Sequence, residues 1–199
     1  MHALTPIENG RLYRDTAFRA LEQTRAVQGT AFAGCTFDDA QLRGVAFRDC
    51  RFLACSFVAC DLGLADVGGS VFRDVSFDGC NLTGVNWARA AATLHDPLEI
   101  DFRDCILDFA VFQGCALEGR RIDHCVAHEC DFRQAVLVGA VCRGTDFAGA
   151  NFEGADLSGA DLRKARNYAI DVRSTRVRGA RFSLPDATAL LQGLEIELD

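Results

Sequence analysis

No run of about 18 apolar residues occurs in this 199-residue chain, and its first residues, MHALTPIENGRLYRD, lack the basic and apolar regions of a secretory leader. Both absences point away from a membrane and toward a cytoplasmic protein. Histidine is scarce: His2, His95, His124 and His128 are the only four, and none stands in a Ser/His/Asp, Cys/His or HExxH arrangement. An enzyme is therefore not expected. Positive charge is also in deficit, with 21 basic against 28 acidic side chains and a formal net charge of −7. Direct attraction to nucleic acid or to an anionic membrane is not expected, and a basic partner is.

What the chain does have is ten cysteines. A disulfide framework would need an oxidising compartment that no targeting signal supports. Cys35, Cys50, Cys55, Cys60, Cys80, Cys105, Cys115, Cys125 and Cys130 are separated by multiples of five, and Cys142 alone falls outside that phase. His124 and His128 bracket Cys125 and Cys130 as a zinc site would. The two cysteines, however, hold one place of a five-residue unit and the two histidines hold others, so no metal or other cofactor is expected.

The unit itself is explicit. Every fifth residue from Phe32 to Trp87 is large and apolar, and from Phe102 to Phe182 the same places carry Phe, Leu, Ile or Val except at Ala127, Cys142 and Asn167. Neither a helix of period 3.6 nor a strand of period 2 yields this. Two residues before each centre the side chain is small, as at Cys55, Ala65, Ala135 and Ala160. Asp or Asn often stands just before the centre, as at Asp61 and Asn151, and Gly two after it, as at Gly79 and Gly154. Glycine tolerates positive φ, and Asn and Asp bond their own backbone, so these are turn residues.

One apolar centre and one turn per five residues make the chain turn a corner every five residues. Four corners bring it back over its start after about 20, and coils hydrogen-bonded like neighbouring strands lie about 4.8 Å apart. A column of Phe and Leu then fills a narrow axis, and the cysteines beside it serve as small, well-packing hydrophobes. Units such as AGCTF, RDCRF, LACSF, VACDL, DGCNL, AGANF, EGADL and SGADL resemble the A(D/N)LXX repeat of pentapeptide-repeat proteins. That resemblance implies an all-β solenoid, a right-handed quadrilateral β-helix.

The expected organisation is a single β-helix over 1–182, with an irregular first coil at about 10–30 because Phe18 is one residue out of phase. Between Trp87 and Phe102, Ala92 and Pro97 stand at would-be centres, and Pro is neither a packing residue nor a ladder donor there. A loop over 88–101, with Thr93, Leu94, His95, Asp96 and Pro97 as its exposed part, is expected in preference to two distorted repeats. Beyond Phe182 the period ends. Pro185 suits the first turn of a short helix, and EIEL alternates like a short strand. Segment 183–199 reads as a dimerisation segment, with Phe182, Leu184, Leu190, Leu191, Leu194, Ile196 and Leu198 at the interface, in preference to a cap.

Charge is segregated along the chain. From Thr30 to Leu162 there are 20 acidic and 10 basic residues, whereas Arg163, Lys164, Arg166, Arg173, Arg176, Arg178 and Arg181 make the following stretch basic. Over six to seven coils the acidic stretch carries about one net negative charge per 3 Å, against about one per 1.7 Å for B-DNA. Asp38, Asp39, Asp49, Asp61, Asp66, Asp74, Asp78, Asp104 and Asp108 are the candidate phosphate-like charges. Which wall carries most of them depends on whether 88–101 counts as part of a coil.

The stretches GVNWARA, DFRDCILDFAVFQGCALEG and NYAIDVRSTRVRGARFSLPDATALLQGLEIELD resemble the Qnr, McbG and AlbG group, which protect DNA gyrase from quinolones or peptide-like poisons. The last stretch is not repeat sequence, so its match does not come from periodicity. The resemblance implies a tail-to-tail homodimer, an acidic rod shaped like B-DNA, and gyrase or topoisomerase IV as partner. Qnr proteins usually carry a second, smaller loop in the first half, which the unbroken repeats from 32 to 87 lack. Protection against another gyrase poison, or inhibition of gyrase, fits better than quinolone protection; the alternative is a passive scaffold for a different basic protein.

Overall fold

The computed structural model describes residues 7–23, 25–92 and 97–194. It is an all-β parallel solenoid whose coils repeat every 20 residues: Ala31 pairs with Arg51, and Arg51 with Val71. Leu12–Arg14, Ala31–Ala33, Arg51–Leu53 and Val71–Arg73 form the first of four walls. The second wall is the longest sheet, made of Ala17–Arg19, Thr36–Asp38, Ser56–Val58, Val75–Asp78, Ile100–Arg103 and Ile122–Asp123. The third wall is held by single bridges such as Gln41 to Asp61 and Asp61 to Asn81. The fourth starts with Val27–Gln28 beside Phe47–Arg48 and continues through bridges such as Asn86 to Val111.

The centres fill the axis. On the second wall Phe18, Phe37, Phe57, Phe77 and Phe102 stack with successive ring centroids 4.8, 4.4, 4.8 and 5.3 Å apart. Burying such rings supplies most of the driving force, and offset stacking adds to it. Between Phe52, Phe57, Phe72, Phe77 and Trp87 the axis holds a void of only about 10 Å³, too small for a water molecule with partners.

The register departs from 20 at two places, and each has a local cause. Phe18 pairs with Phe37, 19 residues on, whereas Val27 pairs with Phe47, 20 on, so the first coil lacks one residue between Glu22 and Val27. Phe18 looks out of phase in sequence for that reason alone, and it stacks on Phe37 like any other centre. The second departure is an insertion: Val75 pairs with Ile100, 25 residues on. The inter-coil ladder runs as far as the Ala91 amide, which donates to Ser70, and resumes at the Glu99 amide, which donates to Phe72. The segment leaving the ladder is thus narrower than 88–101, because Trp87–Arg89 is a 3-10 turn still bonded to the coil through the Arg89 carbonyl. Pro97 is exposed and Leu98 takes the buried centre in its place; Thr93, Leu94, His95 and Asp96 lie outside the described residues. A one-residue exchange of the same kind recurs where Asn167 turns outward with φ of 58° and Tyr168 is buried. Beyond Phe182, Asp186–Leu194 forms a 3-10 helix, and the EIEL stretch, residues 195–198, lies outside the described residues.

The small places two before each centre do more than fill space. In tight corners the amide there donates back to the centre carbonyl, as Ala65 does to Leu62. In several extended corners it is met by the next coil's side chain: the Cys50 amide donates to Ser70 Oγ at 2.9 Å, that of Cys60 to Cys80 Sγ at 3.4 Å, and that of Cys125 to Thr145 Oγ1 at 3.1 Å. The same side chains donate onward to a carbonyl one coil back, as Ser70 Oγ does to Phe47 at 2.8 Å and Cys80 Sγ to Phe57 at 3.4 Å. A thiol or hydroxyl therefore satisfies two buried backbone groups that an alanine would leave orphaned.

All ten cysteines are free and buried. Burial pushes the Cys55 thiol up to about 11 and that of Cys142 to about 12, so both are un-ionised near neutrality. The native protein is expected to react with a thiol reagent at pH 8 far more slowly than the unfolded chain, which exposes all ten. Rapid native-state labelling of several thiols would contradict this packing.

Candidate acidic interface

The corrected register decides which wall each carboxylate occupies. Asp38, Asp78 and Asp101 stand on the second wall, and Asp15, Asp39, Asp74, Glu99 and Asp104 stand at its two edges. Against these eight acids, the wall from Ala17 to Arg103 carries Arg19 and Arg103. The structure therefore brings five of the nine sequence candidates together: Asp38, Asp39, Asp74, Asp78 and Asp104. Asp61 and Asp108 lie on the adjacent third wall, Asp66 on the fourth, and Asp49 at the corner between the fourth and first walls. Asp15, Glu99 and Asp101 were not among the candidates. The missing residue hides the phase of Asp15, and the insertion hides that of Glu99; Asp101, just before the Phe102 centre, was findable.

Local bonding divides the carboxylates further. Asp74, Asp78 and Asp104 are exposed, and Glu99 Oε2 accepts from the Asp74 amide at 3.2 Å, which fastens the coil after the insertion to the one before it. Asp61 and Asp66 are turn residues: their Oδ1 atoms accept from the amides of Gly63 at 2.9 Å and Gly68 at 3.1 Å. Asp66 also lies between Arg48 at 3.1 Å and Arg89 at 3.3 Å. Burial works against its ionisation, but the Gly68 amide and the two guanidiniums outweigh it and hold its carboxyl below the usual range. Its charge is largely spent within the protein.

The same turn recurs toward the C-terminus, at Asp131, Asp146, Asp156, Asp161 and Asp171. Arg133 depresses Asp131, Ser158 depresses Asp156, Arg163 depresses Asp161 and Arg173 depresses Asp171. For Asp146 burial is overcome by Asn167 and Arg166. Because these folded-state values lie below the unfolded value of about 3.9, the stability they contribute is fully present above about pH 5 and is lost as pH falls through the folded values. The urea midpoint is expected to drop steadily below about pH 4. A midpoint unchanged down to about pH 2.5 would show that these turns contribute nothing.

The histidine and cysteine neighbours diverge as their repeat places require. Cys130 Sγ donates inward to the Leu107 carbonyl at 2.9 Å, while His128 lies between Asp108 at 3.7 Å and Asp146 at 3.5 Å. Among the described residues no group of three His, Cys, Asp or Glu side chains could hold a metal ion, and no helix is long and apolar enough to cross a membrane. At the C-terminal end, Phe182 packs 5.6 Å from the Tyr168 ring and Leu190 against the core, Leu191 is half-buried, and Leu184 and Leu194 are 80% and 46% exposed. Ile196 and Leu198 lie outside the described residues.

A parallel four-cornered solenoid with turn-forming Asp and Gly at fixed places defines a class of repeat protein. The chain belongs to the pentapeptide-repeat family: residues 30–95 match a pentapeptide repeat region and residues 128–163 match pentapeptide repeats in eight copies. No curated protein matches the chain by sequence. Among solved structures it is similar to full-length QnrB1, a plasmid-mediated fluoroquinolone resistance protein, at 16% identity over 93% of this chain and 100% of that one, with a TM-score of 0.47. It is also similar to HetL, a pentapeptide repeat protein involved in heterocyst differentiation regulation from the cyanobacterium Nostoc, at 15% identity over 88% of this chain and 85% of that one, with a TM-score of 0.42.

Proposed function

We propose that the second wall imitates the charge of DNA and docks on the basic DNA-binding surface of DNA gyrase or topoisomerase IV. Binding there inhibits the enzyme or shields it from a poison, and so gives antibiotic resistance or self-immunity. The observation that supports this reading is segregation. Asp38, Asp78 and Asp101 stand on the face of the second wall, whereas the strands of the first wall carry no carboxylate and present Leu12, Arg51, Leu53 and Arg73; Asp15, Asp74 and Glu99 line the corner the two walls share, and Asp39 and Asp104 the far one. A solvated surface that served solubility alone would have no reason to concentrate charge on one side. The resemblance of the non-repeating tail to the gyrase-protecting group supports gyrase as that partner.

Supercoiling by gyrase, with and without a gyrase poison, tests the reading. Inhibition or protection at micromolar protein, weakening as salt rises, is expected. Neither effect at any salt concentration would refute it.

The same reading makes the chain a tail-to-tail homodimer through Phe182, Leu184, Leu190, Leu191 and Leu194. Replacing Leu184 and Leu194 with glutamate puts charge into the seam and is expected to halve the mass measured by light scattering. The variant should keep the circular dichroism of the coils. An unchanged mass would place the dimer contact elsewhere.

A further inference from the structure

The second wall changes sign along its length, and at its basic end it carries a cleft that the acidic interface does not use. The residue after each centre runs down this wall as Asp123, Arg143, Arg163 and Ser183, and the next residue runs down the adjoining corner as His124, Gly144 and Lys164. Gly144 has no side chain, so the His124 ring can lean over it toward Lys164, two coils or roughly 10 Å along the corner. The His124 ring already lies against the place where a Cβ on Gly144 would stand. The resulting cleft of about 360 Å³ is lined by His124, Arg143, Arg163, Lys164 and Ser183, with no carboxylate in its lining.

Its charges are held in place from below. Asp161, only 7% exposed, accepts from Arg143 Nε at 2.7 Å and from Arg163 Nε and Nη2 at 2.8 and 2.7 Å. One buried carboxylate thus orients two guanidiniums, and the Nη1 group of Arg163 keeps its donors free of protein partners among the described residues. The Lys164 amide donates to Ser183 Oγ at 3.1 Å, which leaves the hydroxyl hydrogen available to a ligand. Arg143, Arg163 and Lys164 set against the one carboxylate beneath them give the site a formal charge of about +2, and planar guanidiniums beside a hydroxyl match an oxyanion of tetrahedral shape.

We propose that this cleft binds a phosphoryl group or a comparable dianionic oxyanion, either as the free ion or at the end of a small ester. The proposal does not depend on the gyrase reading. Titration calorimetry at fixed ionic strength with inorganic phosphate and with phenyl phosphate tests it. One site per chain is expected. Binding of both ligands would identify a terminal phosphoryl group as the recognised unit, and binding of phosphate alone would identify the free ion. Arg143→Gln and Lys164→Gln, with Asp161 still paired to Arg163, are each expected to weaken binding about tenfold, and Lys164→Arg to restore it. Arg178→Gln removes an exposed charge on the first wall and is expected to change nothing. Absence of binding, or equal weakening by Arg178→Gln, would overturn the proposal, the latter by showing diffuse electrostatics. Thermal melts of each variant establish that it is folded.

Discussion

Truncating Phe77 to alanine is expected to destabilise the protein by about 3–5 kcal/mol, measured as a shift of the urea midpoint. Phe77 is 1% exposed and lies between Phe57 and Phe102 at 4.8 and 5.3 Å, with Trp87 edge-on at 5.6 Å. Coils bonded by parallel ladders above and below do not close around the lost ring, so the existing small void would grow into a cavity. A solenoid is also stabilised by contacts between neighbouring repeats, which makes one defect in the middle of the column felt on both sides. Phe109→Ala is the contrast. That side chain is 61% exposed with φ of 59°, a conformation that a bulky residue rarely adopts, and its loss is expected to cost less than about 0.5 kcal/mol. Equal destabilisation by the two variants would mean that the aromatic column does not hold the fold.

Replacing Asp38, Asp74, Asp78 and Asp104 together with asparagine is expected to raise the concentration needed for half-inhibition of gyrase by roughly a hundredfold at low salt. The substitution removes four charges from the second wall and its edges while keeping side-chain size. Asp74 and Asp104 have φ of 52° and 51°, a region that asparagine tolerates, so the coils are expected to survive unchanged. Asp49→Asn, at the corner between the fourth and first walls, is expected to have little effect. Full inhibition by the fourfold variant would remove charge imitation from the account and favour a scaffold that binds through other surfaces.

The period of five was enough to read the four-cornered β-helix, because one apolar centre and one turn per unit leave the backbone few other courses. It also located the free, buried cysteines. It could not place the carboxylates on walls, since that depends on register. Counted in strict steps of 20, Phe102 would fall on the third wall with Leu82; this coil instead takes 25 residues to close, so the five extra residues add no corner and Phe102 stacks on Phe77, carrying Asp101 and Asp104 to the acidic side. The insertion preserves the phase of five, so the sequence marks it only by Ala92 and Pro97 at centre places. The missing residue between Glu22 and Val27 acted the other way, breaking the phase while leaving the stack intact. Nor did periodicity reveal that Asp61 and Asp66 are committed to turns and arginines, because an Asx turn and an exposed charge are written with the same residue.

The account rests on one wall taking the place of DNA, and competition for gyrase measures that directly. Labelled duplex DNA bound to gyrase is titrated with the protein, and the anisotropy of the label is followed at low and at high salt. The account predicts that the wild-type chain displaces the DNA in a salt-sensitive manner and that the fourfold asparagine variant does not. Binding of the chain to gyrase with the DNA still in place, or displacement equally strong in that variant, would contradict it.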